Sequence, residues 1–164
     1  MDARVRRGRQ LRFEQVRRSF DGKTAIDIDT LDIDSGSITV LLGRSGCGKS
    51  TLLSLAGGLL VPDAGRVLHD GLPLTTTLRA GAADPADIAI VFQHNNLFPW
   101  LSAADNLVLA LRNRGATKAR ARTLARQWLD EVGLRDYADY KPAQLSGGMR
   151  QRVVIALALA GNPK

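Results

Sequence analysis

Ile38-Thr39-Val40-Leu41-Leu42-Gly43-Arg44-Ser45-Gly46-Cys47-Gly48-Lys49-Ser50-Thr51 is the stretch that decides the fold. Its apolar front end, Ile38 to Leu42, predicts a short buried strand of the parallel kind, which feeds a glycine-rich turn. A helix is expected from Lys49 to Ala56, stopped by Gly57-Gly58. Gly43, Gly48, Lys49 and Ser50 stand at the spacing of a phosphate-binding loop, in the strand-before, helix-after context that such a loop needs. Glycines let the backbone wrap a triphosphate with its amides pointing inward. Lys49 would offset the charge of the β- and γ-phosphates, and the Ser50 hydroxyl would ligate Mg²⁺.

Upstream of that loop, residues 11 to 40 alternate charged and apolar positions, as in Leu11-Arg12-Phe13-Glu14 and Ile26-Asp27-Ile28-Asp29. The alternation predicts half-exposed antiparallel strands joined at Asp21-Gly22. Downstream, Arg66 to His69 reads as a short strand and Ile88 to Phe92 as a second buried one. The pattern then turns helical. Ser102 with Asp105 approximates a capping box ahead of Asn106 to Leu111, and Thr117 can cap a helix with Ala121, Leu124, Ala125, Trp128, Leu129 and Val132 on one face before Gly133. Gly147 to Ala160 is the last helix. Its second half, Val153 to Ala160, is apolar on every side and should be buried.

With 164 residues and 45% hydrophobic content, the chain has the size of one globular domain. The net charge of +7, from 23 Lys plus Arg against 16 Asp plus Glu, admits an anionic partner. Much of the excess lies in Arg4, Arg6, Arg7, Arg9, Arg12, Arg17 and Arg18, which read as a solvated face or tail. Cys47 is the only cysteine, so no disulfide forms within the chain and no paired-thiol metal site exists. No apolar run approaches the ~18 residues of a membrane span. His69 and His94 lack ligand-like partners at metal spacing and read as surface or loop histidines, and Trp100 and Trp128 as packing residues.

A phosphate loop alone leaves kinases, GTPases and many ATPases open; Leu145-Ser146-Gly147-Gly148-Met149-Arg150-Gln151-Arg152 narrows the choice. This second motif resembles the signature sequence of ATP-binding-cassette (ABC) proteins. Physically, Ser146 can cap a helix whose dipole and glycine-bared amides make an anion site. The resemblance implies an α/β P-loop fold with an antiparallel β subdomain, a parallel core sheet and a helical signature subdomain. The expected divisions are about 1–93 for the β subdomain and P-loop core, about 94–146 for the helical subdomain and 147–164 for the signature helix returning to the core.

The resemblance also implies a site shared by two copies placed head to tail, with ATP and Mg²⁺ as its ligands. One chain would supply Gly43, Arg44, Ser45, Gly46, Cys47, Gly48, Lys49, Ser50 and Thr51, and the other Ser146, Gly147 and Gly148, which would meet the γ-phosphate. Gln93 matches the family's Q-loop, where it would ligate Mg²⁺ beside Ser50 and approach the attacking water; Lys49 and Gln93 are thus the catalytic candidates. Phe20 lies where the family keeps an aromatic ring to stack on adenine, a core phenylalanine being the alternative.

Phe92 to Ser102 with Asp105-Asn106 looks like the Q-loop region of importers for nitrate, sulfonate, taurine and related solutes. Leu97, Phe98 and Trp100 would be its apolar contacts to a channel. The partners implied are a second ATP-binding subunit, transmembrane permease subunits and, indirectly, an extracytoplasmic solute-binding protein; nucleic acid is not expected. The location implied is cytoplasmic, on the inner face of the cell membrane. Two departures stand out. The sequence stops before the strand that would carry the Walker B Asp, the catalytic Glu and the later switch His, so it reads as a truncated cassette; hydrolysis by this chain alone is expected to be poor and the all-apolar final helix to lose its cover. Leu157 replaces an Arg common in the family. The other readings are a degenerate or fragmentary cassette that binds nucleotide without turnover, and a non-transport ABC protein acting on nucleic acid.

Overall fold

The computed structural model describes residues 10–74, 88–93 and 97–163, in two compact units, one reaching Ile88 and one running from Ala89 to Pro163. His94 and the arginines at 4, 6, 7 and 9 lie outside the described residues.

The first unit is built on a hairpin. Strand β1 (Leu11–Phe20) pairs antiparallel with β2 (Lys23–Ile33) through the two-residue turn Asp21-Gly22. Both turn residues have positive φ, 48° and 75°, the backbone that a tight hairpin turn requires and that Asp-Gly supplies at little cost. Two further strands, β3 (Ala64–His69) and β4 (Leu72–Pro73), complete an antiparallel sheet in the order β2-β1-β3-β4. Strict alternation fails once along β1. Gln15, at φ 49°, slips the pattern by one residue, so Phe13 and Val16 are both fully buried. The pairing of β1 with β3 shifts register at the same place, between Glu14 and Arg17. Helix α1 (Lys49–Ala56) covers the sheet with Leu52 and Leu55, which pack with Phe13, Val16, Ile26 and Val67.

Arg12 and Arg17 are solvent-exposed, as expected of a solvated face, and Arg18 is half-buried, but all three are paired with carboxylates. They lie in β1 and reach Asp32, Asp27 and Asp63 at 2.6, 2.9 and 2.5 Å. His69 departs from expectation: it is 3% exposed at the end of β3, because β3 lies inside the sheet rather than on a loop.

The two apolar runs expected as buried parallel strands differ from expectation too. Neither Ile38 to Leu42 nor Ile88 to Phe92 joins a ladder among the described residues. Most of their side chains stand in solvent: Ile38 is 94% exposed and Leu42 89%, and Val91 and Phe92 are also exposed.

The second unit is helical. Helix α2 (Ala103–Asn113) is capped by Ser102, whose hydroxyl accepts from the Asp105 amide at 3.0 Å; α3 (Lys118–Glu131) is capped by Thr117. Helix α4 (Gly147–Ala160) follows two one-turn 3₁₀ helices, Arg135–Tyr137 and Pro142–Gln144. Leu107, Leu129, Leu134 and Val153 form the centre of this unit's core, with Trp128 and Leu157 packed at its edge. The last helix is covered in part only, short of the burial its composition calls for and in keeping with the loss of cover expected of it. Val153 and Ala156 are buried, whereas Ile155 and Leu159 are more than a third exposed, since α2 and α3 occupy one side of it only. No helix of the described residues is long and apolar enough to cross a membrane.

Candidate functional site

The glycine-rich loop is shaped by its own lysine. Lys49 opens α1, and its ammonium folds back to donate to the carbonyls of Gly43 at 2.8 Å and Arg44 at 2.7 Å, with the Cys47 sulfur at 3.6 Å. The Cys47 amide donates to the Arg44 carbonyl, closing a turn in the loop. A cation is thus fixed across the mouth of a loop that leads into a helix N-terminus, where the first amides have no intrahelical acceptor. No side chain among the described residues caps that terminus. Gly48 holds the cap position at φ 98°, and a Cβ there would lie 2.5 Å from the Ala25 carbonyl of β2. The loop is therefore seated against the hairpin, and only glycine fits between them.

Arg44, Ser45, Gly46, Cys47 and Ser50 are exposed around this cation, and Thr51 is partly exposed in the first turn of α1. Such an arrangement of backbone amides, a helix dipole and an ammonium suits a multiply charged anion, triphosphate included. The Ser50 hydroxyl stands free enough to meet a hard cation held by that anion.

Phe20 belongs to the same unit, beside the Asp21-Gly22 turn. It is not a core residue: 42% of its surface is exposed, and the Arg18 guanidinium lies over its ring at 4.8 Å.

The remaining candidates belong to the second unit. Gln93 is exposed in a bend after Phe92. Ser146 caps α4 by accepting from the Met149 amide at 3.2 Å. Arg150 ties the same terminus down by donating to the carbonyls of Leu145 at 2.6 Å and Pro142 at 3.3 Å. Gly147 and Gly148 are exposed, and among the described residues a Cβ at Gly148 would meet nothing within 4 Å, so this helix end is fixed in place and clear of them in front.

The bonding role of one residue escaped the sequence reading. Asn106, 2% exposed on α2, accepts from the Phe98 amide at 2.8 Å and donates to the carbonyls of Phe98, Leu101 and Ser102. It staples the 97–101 segment to α2. Leu97 is thereby drawn into the helical core instead of standing available for contact as expected. Phe98 and Trp100 stay outside in a tilted ring contact, centroids 5.4 Å apart; Trp100, expected to pack, is 67% exposed. The signal that could have found Asn106 is an amide on the apolar face of a helix one turn after its cap.

A family model described as ABC transporter matches residues 26–164. The chain is 43% identical over 152 residues to the Fe(3+) ions import ATP-binding protein FbpC of Agrobacterium fabrum, covering 93% of this chain and 42% of that one. It is 47% identical over 134 residues to the taurine import ATP-binding protein TauB of Pseudomonas aeruginosa, covering 82% of this chain and 48% of that one. Among solved structures it superposes, with a TM-score of 0.77 and 33% identity, on a dimeric post-hydrolysis state of an ATP-binding cassette bound to ADP and Pi, over 93% of this chain and 70% of that one. The chain thus spans about half the length of the curated relatives it matches.

Proposed function

Since the chain belongs to the ABC transporter family, we propose that it is part of the ATP-binding subunit of an importer. In this reading it closes over ATP and Mg²⁺ as one of a head-to-tail pair and passes that closure to transmembrane permease subunits. The observation that carries the reading is the Lys49 ammonium fixed at the mouth of the glycine loop, at the N-terminus of α1. The import ATP-binding relatives and the dimeric cassette structure support the rest.

Residues 43–51 hold the phosphates, Lys49 offsetting their charge, while Phe20 stacks on adenine. Ser50 and Gln93 hold Mg²⁺, which when bound supplies a Lewis acid that spreads the charge of the transferring phosphoryl group. Gln93 also positions the attacking water, so Lys49 and Gln93 are the residues of this chain that touch the reacting groups. From the second copy, Ser146, Gly147 and Gly148 bring a second helix dipole to the γ-phosphate. Residues to about 93 form the nucleotide-holding part, about 94–146 the helical subdomain and 147–164 the signature helix. Phe98 and Trp100 face the channel subunits, at the cytoplasmic side of the membrane, and an extracytoplasmic binding protein delivers the solute. The taurine-import relatives support a sulfonate-type anion as that solute. A ferric-ion relative at 43% identity fits the same frame, as expected where selectivity resides in the channel.

Equilibrium sedimentation of the full chain with and without Mg-ATP tests this. A nucleotide-dependent dimer that Ser146→Glu abolishes is expected, the new carboxylate repelling the γ-phosphate; a chain that saturates with ATP yet stays monomeric overturns the shared site.

A further inference from the structure

One face of the Phe20 ring is occupied. The Arg18 guanidinium lies over its ring at 4.8 Å, and Arg18 is itself held by Asp63 at 2.5 Å and by the Val61 carbonyl at 3.4 Å. The second oxygen of Asp63 accepts from the Ser19 amide at 2.7 Å, so one carboxylate fixes both the cation and the backbone between Arg18 and Phe20. Among the described residues the Nε of Arg18 is buried without a hydrogen-bond partner, and Asp63, Val61 and the ring are what hold this guanidinium. Phe20 is 42% exposed while a cation occupies one face of its ring. The strand that leaves this hairpin turn carries Ala25, whose carbonyl borders Gly48 of the phosphate loop. The ring and the phosphate loop therefore flank the start of the same strand.

From this geometry we propose that Arg18 is a positioning residue for the purine base. Anchored by Asp63, it holds the Phe20 ring from behind and leaves the opposite face as a preset platform for adenine. The inference rests on the reading that Phe20 stacks on the base. Two physical effects combine. A restrained ring loses little freedom when a base lands on it, and a cation behind the ring draws π density away from the face that meets the electron-rich purine. Stacking of bases on aromatic side chains is sequence-tolerant but demands an accessible, correctly inclined ring, which is what the Asp63–Arg18 pair supplies.

The test compares two probes in the full chain, ATP and inorganic tripolyphosphate, the second offering phosphates and no base. Arg18→Gln and Asp63→Asn are expected to weaken ATP about two- to tenfold, the cost of ordering one freed side chain on binding, and to leave tripolyphosphate affinity unchanged. Arg18→Lys, which keeps the cation, is expected to recover part of the loss. A merely structural role would weaken both probes alike, and that outcome overturns the proposal. So does stronger ATP binding in Arg18→Gln, which would mean that the guanidinium occupies the face the base needs. Phe20→Ala separates the two levels. If it leaves the ATP-to-tripolyphosphate ratio unchanged, the stacking reading itself fails; if it lowers the ratio while Arg18→Gln does not, only the positioning role fails.

Discussion

The Lys49 ammonium donates to the Gly43 carbonyl at 2.8 Å, spanning the loop from its last turn back to its first residue. With the Arg44 carbonyl at 2.7 Å, this bond holds the loop in a closed curve through its own backbone. The carbonyls are neutral acceptors, so a phosphate oxygen in their place would make a stronger, charge-assisted bond to the same ammonium. In the proposed function the site is shaped before its ligand arrives, and binding would exchange acceptors around a cation that is already in position.

Gly48 and Gly46 allow loop shape to be separated from backbone strain. Both have positive φ, 98° and 81°, but a Cβ at Gly48 would lie 2.5 Å from the Ala25 carbonyl, whereas at Gly46 it meets nothing within 4 Å. Gly46→Ala should cost about 1–2 kcal/mol of stability, the usual penalty of left-handed backbone. Gly48→Ala should cost more and also lower ATP affinity at least tenfold, because the loop must move off the hairpin. Thermal melts and a fluorescent-nucleotide titration measure both; equal effects at the two positions would contradict the seating of the loop on β2.

Asn106 offers a test in the helical unit. Its side chain serves three carbonyls and one amide while 2% exposed, so Asn106→Ala strands buried groups of the 97–101 segment. The expected loss is about 1–3 kcal/mol. In hydrogen exchange the Phe98 amide should lose protection while the Leu129 amide keeps it. Unchanged exchange at Phe98 would show that the staple is not what holds this segment.

The pH dependence of one surface pair follows from its sign. The Arg135 guanidinium, donating to Asp130 from Nε at 2.8 Å, holds that carboxyl below its ordinary value of 3.8. A carboxyl depressed in the folded state stabilises above its unfolded pKa and loses that contribution as pH falls through the folded value. Asp130→Asn should therefore cause a small drop in Tm at pH 7, a smaller one in high salt, and none once the pH is well below 3.8. A deficit that persists at low pH would mean that the substitution acts through packing.

Much of the fold could be read locally. The Asp21-Gly22 turn, the bounds of α1 and the caps Ser102, Thr117 and Ser146 all follow from short-range chemistry, and the structure has each of them. Local pattern fails where a distant partner decides. Nothing near Gln15 announces the slip that puts Val16 on the Phe13 face; it answers to the register of β3, far along the chain. His69 is buried because β1 and β4 flank it, and Leu97 because Asn106 pulls its segment inward. The exposed run at Ile38 to Leu42 shows the converse: apolar composition proposes a buried strand, but only a paired neighbour makes one. The same holds at the site. The spacing of Gly43, Gly48 and Lys49 was legible, whereas the contact of Arg18 with Phe20 depends on Asp63, which lies beyond the loop.

Equilibrium binding of ATP to the full chain, compared with its Lys49→Met variant, tests the central claim most directly. Methionine keeps most of the side-chain length and removes the charge that Gly43 and Arg44 now hold. The account expects saturable, Mg²⁺-dependent binding to the unsubstituted chain and an affinity lower by about 10- to 150-fold in the variant, the worth of one hydrogen bond to a charged group. Equal affinity for ATP in the two proteins, with both folded by their melting curves, would contradict it.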